Sequence, residues 1–272
     1  MTLDLHTHTT YSDGDLDISH NVLKAIEVGL DGIAITDHDT IDSWREIDQK
    51  SFPIKVFKGV EVSTYHKGES VHILGYYLND GGDYQELNDF LIQTQKNRLE
   101  RLDKIIDLLK PFQIFLTREE IIQEADGAVA RPHIARAIMK KYPELGLTKN
   151  DIFDLYIGND APAYVPVHNF STEDAIQLLK RNHCLVVLAH PLNIQKFDYR
   201  ELFDLGIDGI EGFYYYTDKD YSSVVSFGDE NGLLVTGGSD YHGPITRDTI
   251  GKMYLTGDRC KTFLKKIHYP EK

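Results

Sequence analysis

The chain opens with two histidines two residues apart, in His6-Thr7-His8-Thr9-Thr10-Tyr11-Ser12-Asp13-Gly14. Alternate side chains of a strand project from one face, so both imidazoles can reach one metal ion, and Asp13 follows in the loop as a further donor. Later segments supply more donors of the same kind. His38 stands in Thr36-Asp37-His38-Asp39, Glu61 in Gly59-Val60-Glu61-Val62-Ser63, His72 in Val71-His72-Ile73, His190 in Ala189-His190-Pro191, and Asp240 and His242 in Gly238-Ser239-Asp240-Tyr241-His242-Gly243. Imidazole and carboxylate donors without cysteine suit manganese, iron or zinc, and the affinity order alone does not choose among them. Ions held this way polarise an oxygen and ionise a water, which is hydrolytic chemistry that needs no nucleophilic side chain.

The elements that must position these donors are short β-rich runs, each ending in a polar cluster: Leu3-Asp4-Leu5, residues 32–36, 55–60, 71–76, 185–189, 208–213 and 233–237. Seven such strands, with helix-like segments between them, predict an α/β barrel of parallel strands. Barrels carry their functional groups at the carboxyl ends of the strands, where these nine residues are expected to fall. Ser171-Thr172-Glu173-Asp174 predicts a capped helix start, because a hydroxyl there can accept from free amides of the first turn.

Residues 84–158 change character. Leu87, Leu91, Leu99, Leu102, Ile105, Ile106 and Leu109 recur with helical spacing among charged residues, which predicts a helical insertion between barrel segments 1–83 and 159–272. With no internal repeat and no low-complexity linker, the insertion is expected to pack against the barrel.

The 272 residues carry 29 basic and 43 acidic side chains, a net charge of −14, with no basic run to follow a nucleic-acid backbone. Long duplex DNA is excluded as an expected partner. The first residues lack the basic flank and apolar stretch of a signal peptide, and no apolar run approaches membrane-spanning length, so the expectation is a cytoplasmic protein without a membrane partner. Cys184 and Cys260, two and far apart, are expected as reduced thiols. His20, His66, His183 and His268 are expected to be ordinary surface or core histidines.

With these motifs in view, the sequence resembles the PHP (polymerase and histidinol phosphatase) superfamily, whose pattern joins an opening His-x-His to later Asp-His, Glu, His and Asp-x-His elements. The resemblance covers nearly the whole chain. Ala130-Arg131-Pro132-His133-Ile134-Ala135-Arg136 and Ala163-Tyr164-Val165-Pro166 look like the branch that holds 3′,5′-nucleoside bisphosphate phosphatases and a 5′→3′ exoribonuclease, and unlike the histidinol phosphatases. The resemblance implies a distorted TIM-like (β/α)7 barrel with three divalent ions, manganese first. By that similarity His6, His8, Glu61 and Asp240 surround one ion, Glu61 bridges to a second also held by His72 and His190, and Asp13, His38 and His242 hold the third.

Three ligand carboxylates against three dications leave a positive pocket inside an acidic protein, which attracts a phosphate dianion. A hydroxide bridging two ions would attack the phosphorus, and the third ion would neutralise a non-bridging oxygen. Arg131, His133 and Arg136, from the insertion, are the candidate substrate-binding residues, with Arg131-Pro132 beginning a helix whose amides and guanidinium face a phosphate. The run Phe213-Tyr214-Tyr215-Tyr216 is expected as packing at the barrel mouth, and Glu211 either orients a ligand histidine or makes an ordinary buried contact. The leading expectation is therefore a phosphomonoesterase of nucleotides bearing a second phosphate. An exoribonuclease on short RNA shares the same attack. A non-catalytic metal-stabilised module would be favoured by ligand loss, and none is lost. Amidohydrolases share His-x-His barrels but typically lack the Asp-x-His ending.

Overall fold

In a computed structural model the described residues are 1–125, 129–166, 170–216 and 219–270. Among the described residues there are eight strands: β1 (Thr2–Thr7), β2 (Gly32–Ile35), β3 (Lys55–His66), β4 (Glu69–Tyr77), β5 (Cys184–Leu188), β6 (Gly209–Tyr214), β7 (Leu234–Gly238) and β8 (Leu255–Thr256). They form one sheet in the order β7-β6-β5-β4-β3-β2-β1-β8. Its ends meet where Thr7 bridges Tyr241 in parallel and the His8 amide donates to the Tyr241 carbonyl at 2.8 Å, so the sheet is a nearly closed barrel.

Two departures from the seven parallel strands expected have local causes. β3 and β4 form an antiparallel hairpin, and β4 also pairs antiparallel with β5. The hairpin turns on Lys67 and Gly68, both at positive φ (44° and 85°), the two-residue turn whose twist matches its flanking strands. Because β4 runs against its neighbours, His72 near its start lies at the same end of the barrel as His190, just past the end of β5. Glu61 likewise lies within β3, which continues to His66, and not beyond its end. The eighth strand is two residues long and pairs antiparallel with β1.

Strand alternation separates the two faces. On β3, Phe57 joins one apolar cluster with Leu74, Tyr76 and Val187, whereas Val60 and Val62 join another with Ile73, Val186 and Leu188. Glu61 and His72 share strand parity with Phe57 and with Leu74 and Tyr76, so the polar site stands above an apolar floor.

The helices are α1 (Ile18–Glu27), α2 (Asp42–Gln49), α3 (Gln85–Leu109), α4 (Arg118–Ile122), α5 (Arg131–Lys141), α6 (Lys149–Ile152), α7 (Thr172–Arg181), α8 (Ser222–Glu230) and α9 (Asp258–Lys266). At α7 the Ser171 hydroxyl accepts from the Asp174 amide, the cap expected from the sequence. The long α3 serves two cores. Leu87 and Leu91 pack on the barrel beside α7, while Leu102, Ile105 and Leu109 pack with Ile121, Ile134, Ile138, Ile152 and Ile157. That second core also takes in Ala163, so it extends past residue 158. Between the halves of α3 the buried stripe passes through Thr94 and Arg98 while Leu99 is only half-buried. Arg98 is buried because its guanidinium grips the Asp39 carboxylate and donates to Ser63 Oγ at 2.9 Å, tying α3 to the barrel.

Candidate metal centre

Five histidines converge on the carboxylate of Glu61, which is wholly buried. One oxygen, Oε2, lies 3.2 Å from His6 Nε2, 3.2 Å from His8 Nε2 and 3.1 Å from His38 Nδ1. The other, Oε1, lies 2.9 Å from His72 Nδ1 and 3.0 Å from His190 Nε2. Asp240 Oδ1 closes one side, at 3.4 Å from His6 Nε2 and 3.1 Å from His8 Nε2. On the other side Asp13 Oδ1 lies 3.4 Å from His242 Nε2 and 3.8 Å from His8 Nδ1. All nine sequence-predicted donors thus meet at one end of the barrel.

Local backbone explains how residues so far apart in sequence reach one point. β2 continues past its end as a bridge between His38 and Glu61, with Asp39 N donating to Glu61 O at 3.0 Å and Glu61 N to Asp37 O at 3.1 Å. The Asp37 carboxylate accepts from Thr9 N (2.7 Å) and Ser12 Oγ (2.8 Å), which fixes the loop between His8 and Asp13. At Gly238 any Cβ would stand 2.4 Å from the His6 Cβ, so only glycine lets β7 come this close to β1. Asp39, His190 and Asp240 hold positive φ (50°, 28° and 52°), and His190 does so directly before Pro191, where the preceding residue normally extends. His190 and Asp240 are thus two candidate donors held in sparsely populated backbone conformations.

The electrostatics are those of a site short of cations. Burial opposes ionisation of Glu61, yet the imidazoles of His38, His6 and His72 hold its carboxyl well below the usual range. Burial likewise opposes charge on His8, but Asp240 and Glu61 push it up to about 10. His38 goes the other way, its burial pushing it down to about 3, so it offers a neutral lone pair. Several of these atoms also lack hydrogen-bond partners: His6 Nε2, both ring nitrogens of His8, His38 Nδ1 and Glu61 Oε2 are buried with none. They approach within ion-pair distance without hydrogen-bond geometry. Buried polar atoms are normally satisfied, and lone pairs crowded around common points are satisfied together by metal ions. Ligand atoms mutually within 4.8 Å form three sets: His6, His8, Glu61 and Asp240; His8, Asp13, His38 and His242; and His38, Glu61 and His72. The donors therefore fit divalent ions.

Supporting residues complete the centre. Glu211 Oε1 lies 2.9 Å from His6 Nδ1 and its Oε2 accepts from the His190 amide at 2.8 Å, so its carboxylate contacts two of the candidate donor residues, as an orienting carboxylate would. Tyr214, expected only as packing, donates its hydroxyl to Asp240 Oδ2 at 2.8 Å, and Arg247 Nη1 lies 3.1 Å from that same oxygen.

A cavity of about 290 Å³ opens over the cluster. Arg131 lines it, with its guanidinium over the rings of Phe153 and Tyr164 and donating to Ile157 O at 3.2 Å and Asn159 Oδ1 at 3.1 Å. Arg98, Arg101 and Arg247 line it too, and no motif marks them among the ordinary charged residues around them. Burial beside the Arg131 and Arg98 cations pushes Arg101 down to about 9. His133 and Arg136, expected at the substrate, do not line this cavity. α5 turns them to a smaller one of about 190 Å³, where His133 Nδ1 accepts from Ala130 N at 2.9 Å and Arg136 donates to Thr246 Oγ1 (3.1 Å) and Glu124 O (3.0 Å). His20, His66 and His183 pair with Asp17, Glu201 and Asp80, away from the cluster.

Fold and site together define a barrel protein with a divalent-metal centre at its mouth. The chain belongs to the PHP domain family, whose model matches residues 4–233. It is similar to the 5′-3′ exoribonuclease Rnm of Salmonella typhimurium, 35% identical over 195 residues, 69% of this chain and 64% of that protein, so the match spans less than two thirds of that relative's length. It is also similar to the 3′,5′-nucleoside bisphosphate phosphatase of Chromobacterium violaceum, 26% identical over 89% of this chain and 87% of that one. Among solved structures, a Bifidobacterium adolescentis protein named as a metal-dependent phosphoesterase superposes with a TM-score of 0.84 at 25% identity, covering 97% of this chain and 96% of that one. Among the described residues no helix is long and apolar enough to cross a membrane.

Proposed function

We propose that this chain is a metal-dependent phosphoesterase that hydrolyses phosphate monoesters of nucleotides carrying a second phosphate, of the 3′,5′-nucleoside bisphosphate type. The convergence of five imidazoles on Glu61, with buried lone pairs unpartnered, carries the proposal. His6, His8, Glu61 and Asp240 would hold one divalent ion, Glu61, His72 and His190 a second, and Asp13, His38 and His242 a third. Bound manganese, iron or zinc would ionise the attacking water and neutralise charge on the phosphoryl oxygens.

The protein's own groups do the rest. Glu211 fixes the ring of His6, and Tyr214 and Arg247 hold the Asp240 carboxylate in place. Arg101 and Arg131 supply a second handle. Neither has a carboxylate partner among the described residues, and Arg101 donates its Nε to Val165 O. Half-buried guanidiniums that share a cavity without a counter-ion favour an anion between them, and a phosphate takes two forked donors well. The helical segment around 84–158 would cap the site from which these arginines reach.

Phosphate release by the manganese-loaded protein from adenosine 3′,5′-bisphosphate, adenosine monophosphate, histidinol phosphate and a short 5′-phosphorylated RNA, with His8→Ala as the blank, tests the reading. Preferential release from the bisphosphate supports it. Arg131→Ala should lower kcat/KM for the bisphosphate at least tenfold more than for the monophosphate, and equal losses would remove Arg131 from that role. Inactivity on all four substrates with metals bound would leave the non-catalytic module as the better account.

A further inference from the structure

Thr246 stands where the helical insertion meets the turn that follows β7. That turn runs from His242 to Arg247 and is closed by the His242 amide donating to Arg247 O at 3.2 Å and the Arg247 amide to Gly243 O at 3.0 Å. One end offers a candidate donor to the third ion, and the other the cation that rests on Asp240. On either side Tyr241 and Ile250 are buried in an apolar cluster of the barrel, whereas Pro244 and Ile245 at the tip are exposed, Ile245 by 82%. Apolar burial therefore fixes the flanks of the turn and leaves its middle to polar bonds.

Those bonds come from both parts of the molecule. From the barrel, the Asp15 carboxylate fills the turn: Oδ2 accepts from Ile245 N at 2.8 Å and Thr246 N at 2.7 Å, and Oδ1 from Thr246 Oγ1 at 2.7 Å. Its own amide donates to His242 O at 2.7 Å. Gly243, at φ 104°, permits the approach, because a Cβ there would stand 2.5 Å from the Asp15 Cβ. Asp15 lies two residues past Asp13, so it joins the two chain segments that bear Asp13 and His242. From the insertion, Arg136 on α5 donates to Thr246 Oγ1 at 3.1 Å, with the same nitrogen 3.9 Å from Asp15 Oδ1, and Lys149 on α6 donates to Thr246 O at 3.0 Å. The Thr246 hydroxyl works in both senses, giving its proton to Asp15 and accepting from Arg136. Contacts that merely docked the insertion would need no particular place on the barrel, and these fall on the turn between His242 and Arg247.

We propose that Asp15, Arg136 and Lys149 are positioning residues for the third ion, acting through Thr246 to hold His242 against Asp13, whose Oδ1 lies 3.4 Å from His242 Nε2. This role rests on the metal-centred reading above. It makes the insertion a determinant of how many ions the barrel retains, a part that covering the substrate does not require. Side chains that orient a metal ligand typically change affinity by about 10–100-fold when removed. The effect is selective. Glu61, His72 and His190 lie away from the turn, and Asp240 keeps its bond from Tyr214 when Arg247 is less firmly held.

Titration of manganese into the chelator-stripped protein, with bound metal counted per chain and no substrate present, tests the proposal. In Arg136→Met, and in Thr246→Val, which keeps the shape and removes the hydroxyl, one of three ions should be held about tenfold or more weakly. The other two should stay within about twofold of wild type. Thr246→Ser should restore the third, and Lys141→Met, which removes only a surface pair with Glu120 on the same helix, should leave all three alone. In an Asp13→Ala background, where that ion is already lost, Arg136→Met should shift the remaining affinities by no more than about twofold. Urea midpoints measured alongside register stability by itself. Lower midpoints with all three ions held as in wild type, or an equal weakening of all three, overturn the inference and leave the metal centre standing. A wild type that takes up fewer than three ions overturns the three-ion reading on which the role rests.

Discussion

His6 Nδ1 lies 2.9 Å from Oε1 of Glu211, a carboxylate 205 positions later in the chain, so the ring that opens the sequence motif is oriented by the sixth strand. The bond leaves Nε2 of His6 as the atom facing Glu61 and Asp240. Glu211→Gln keeps the shape and weakens the acceptor. Metal affinity should fall by about 10–100-fold, measured by competition with a chromogenic chelator. Unchanged affinity would reduce Glu211 to a filler of buried space.

The shared carboxylate predicts unequal losses among ligand variants. Glu61 stands between both halves of the cluster, whereas Asp13 and His242 stand at one side. Glu61→Ala should therefore lower the bound ions by two per chain, and Asp13→Ala or His242→Ala by one, in elemental analysis of the purified proteins. Three ions and full turnover in Glu61→Ala would contradict the bridging role.

The buried pair between Arg98 and Asp39 joins α3 to the barrel beside the site. Arg98→Met leaves the Asp39 carboxylate buried without its cation, and breaking such a pair costs about 3–5 kcal/mol. Urea unfolding should show a loss of that order, with part of it recovered in the double variant Arg98→Met, Asp39→Asn. A loss below about 1 kcal/mol, the scale of a surface pair, would contradict the account.

His133 gives a dependence on pH. Burial pushes it down to about 4, and its Nδ1 accepts the Ala130 amide. Unfolded, it would titrate near the ordinary histidine value of about 6.5. The unfolded chain therefore binds the extra proton first, so the stability this residue contributes is complete above about 6.5 and is lost as pH falls toward 4. Against His133→Gln, which does not titrate, the wild type should lose on the order of 3 kcal/mol across that window. Parallel curves would contradict it.

Legibility in the sequence followed local density. His6, His8, Asp13, Asp240 and His242 could be read because donors crowd into short segments beside β-rich runs, and the capped start of α7 because Ser171 precedes its acidic first turn. The reversed direction of β4 is not carried by its apolar pattern, which reads alike in parallel and antiparallel strands, and only Lys67-Gly68 marks the hairpin turn. Arg98 and Arg101 could not be read, since one turn of a charged helix looks the same whether it faces solvent or a buried carboxylate. Arg247 and Tyr214 act through Asp240 across loops, and no spacing encodes that. His133 and Arg136 belong to the segment 130–136 that carries the family resemblance, and on α5 they line a different cavity from Arg131.

The most direct test strips the protein with a chelator and follows phosphate release from adenosine 3′,5′-bisphosphate as manganese, iron or zinc is returned under elemental analysis. Turnover should fall at least a hundredfold on stripping and recover as bound ions approach three per chain. Full turnover with fewer than one ion per chain would contradict the metal-centred account.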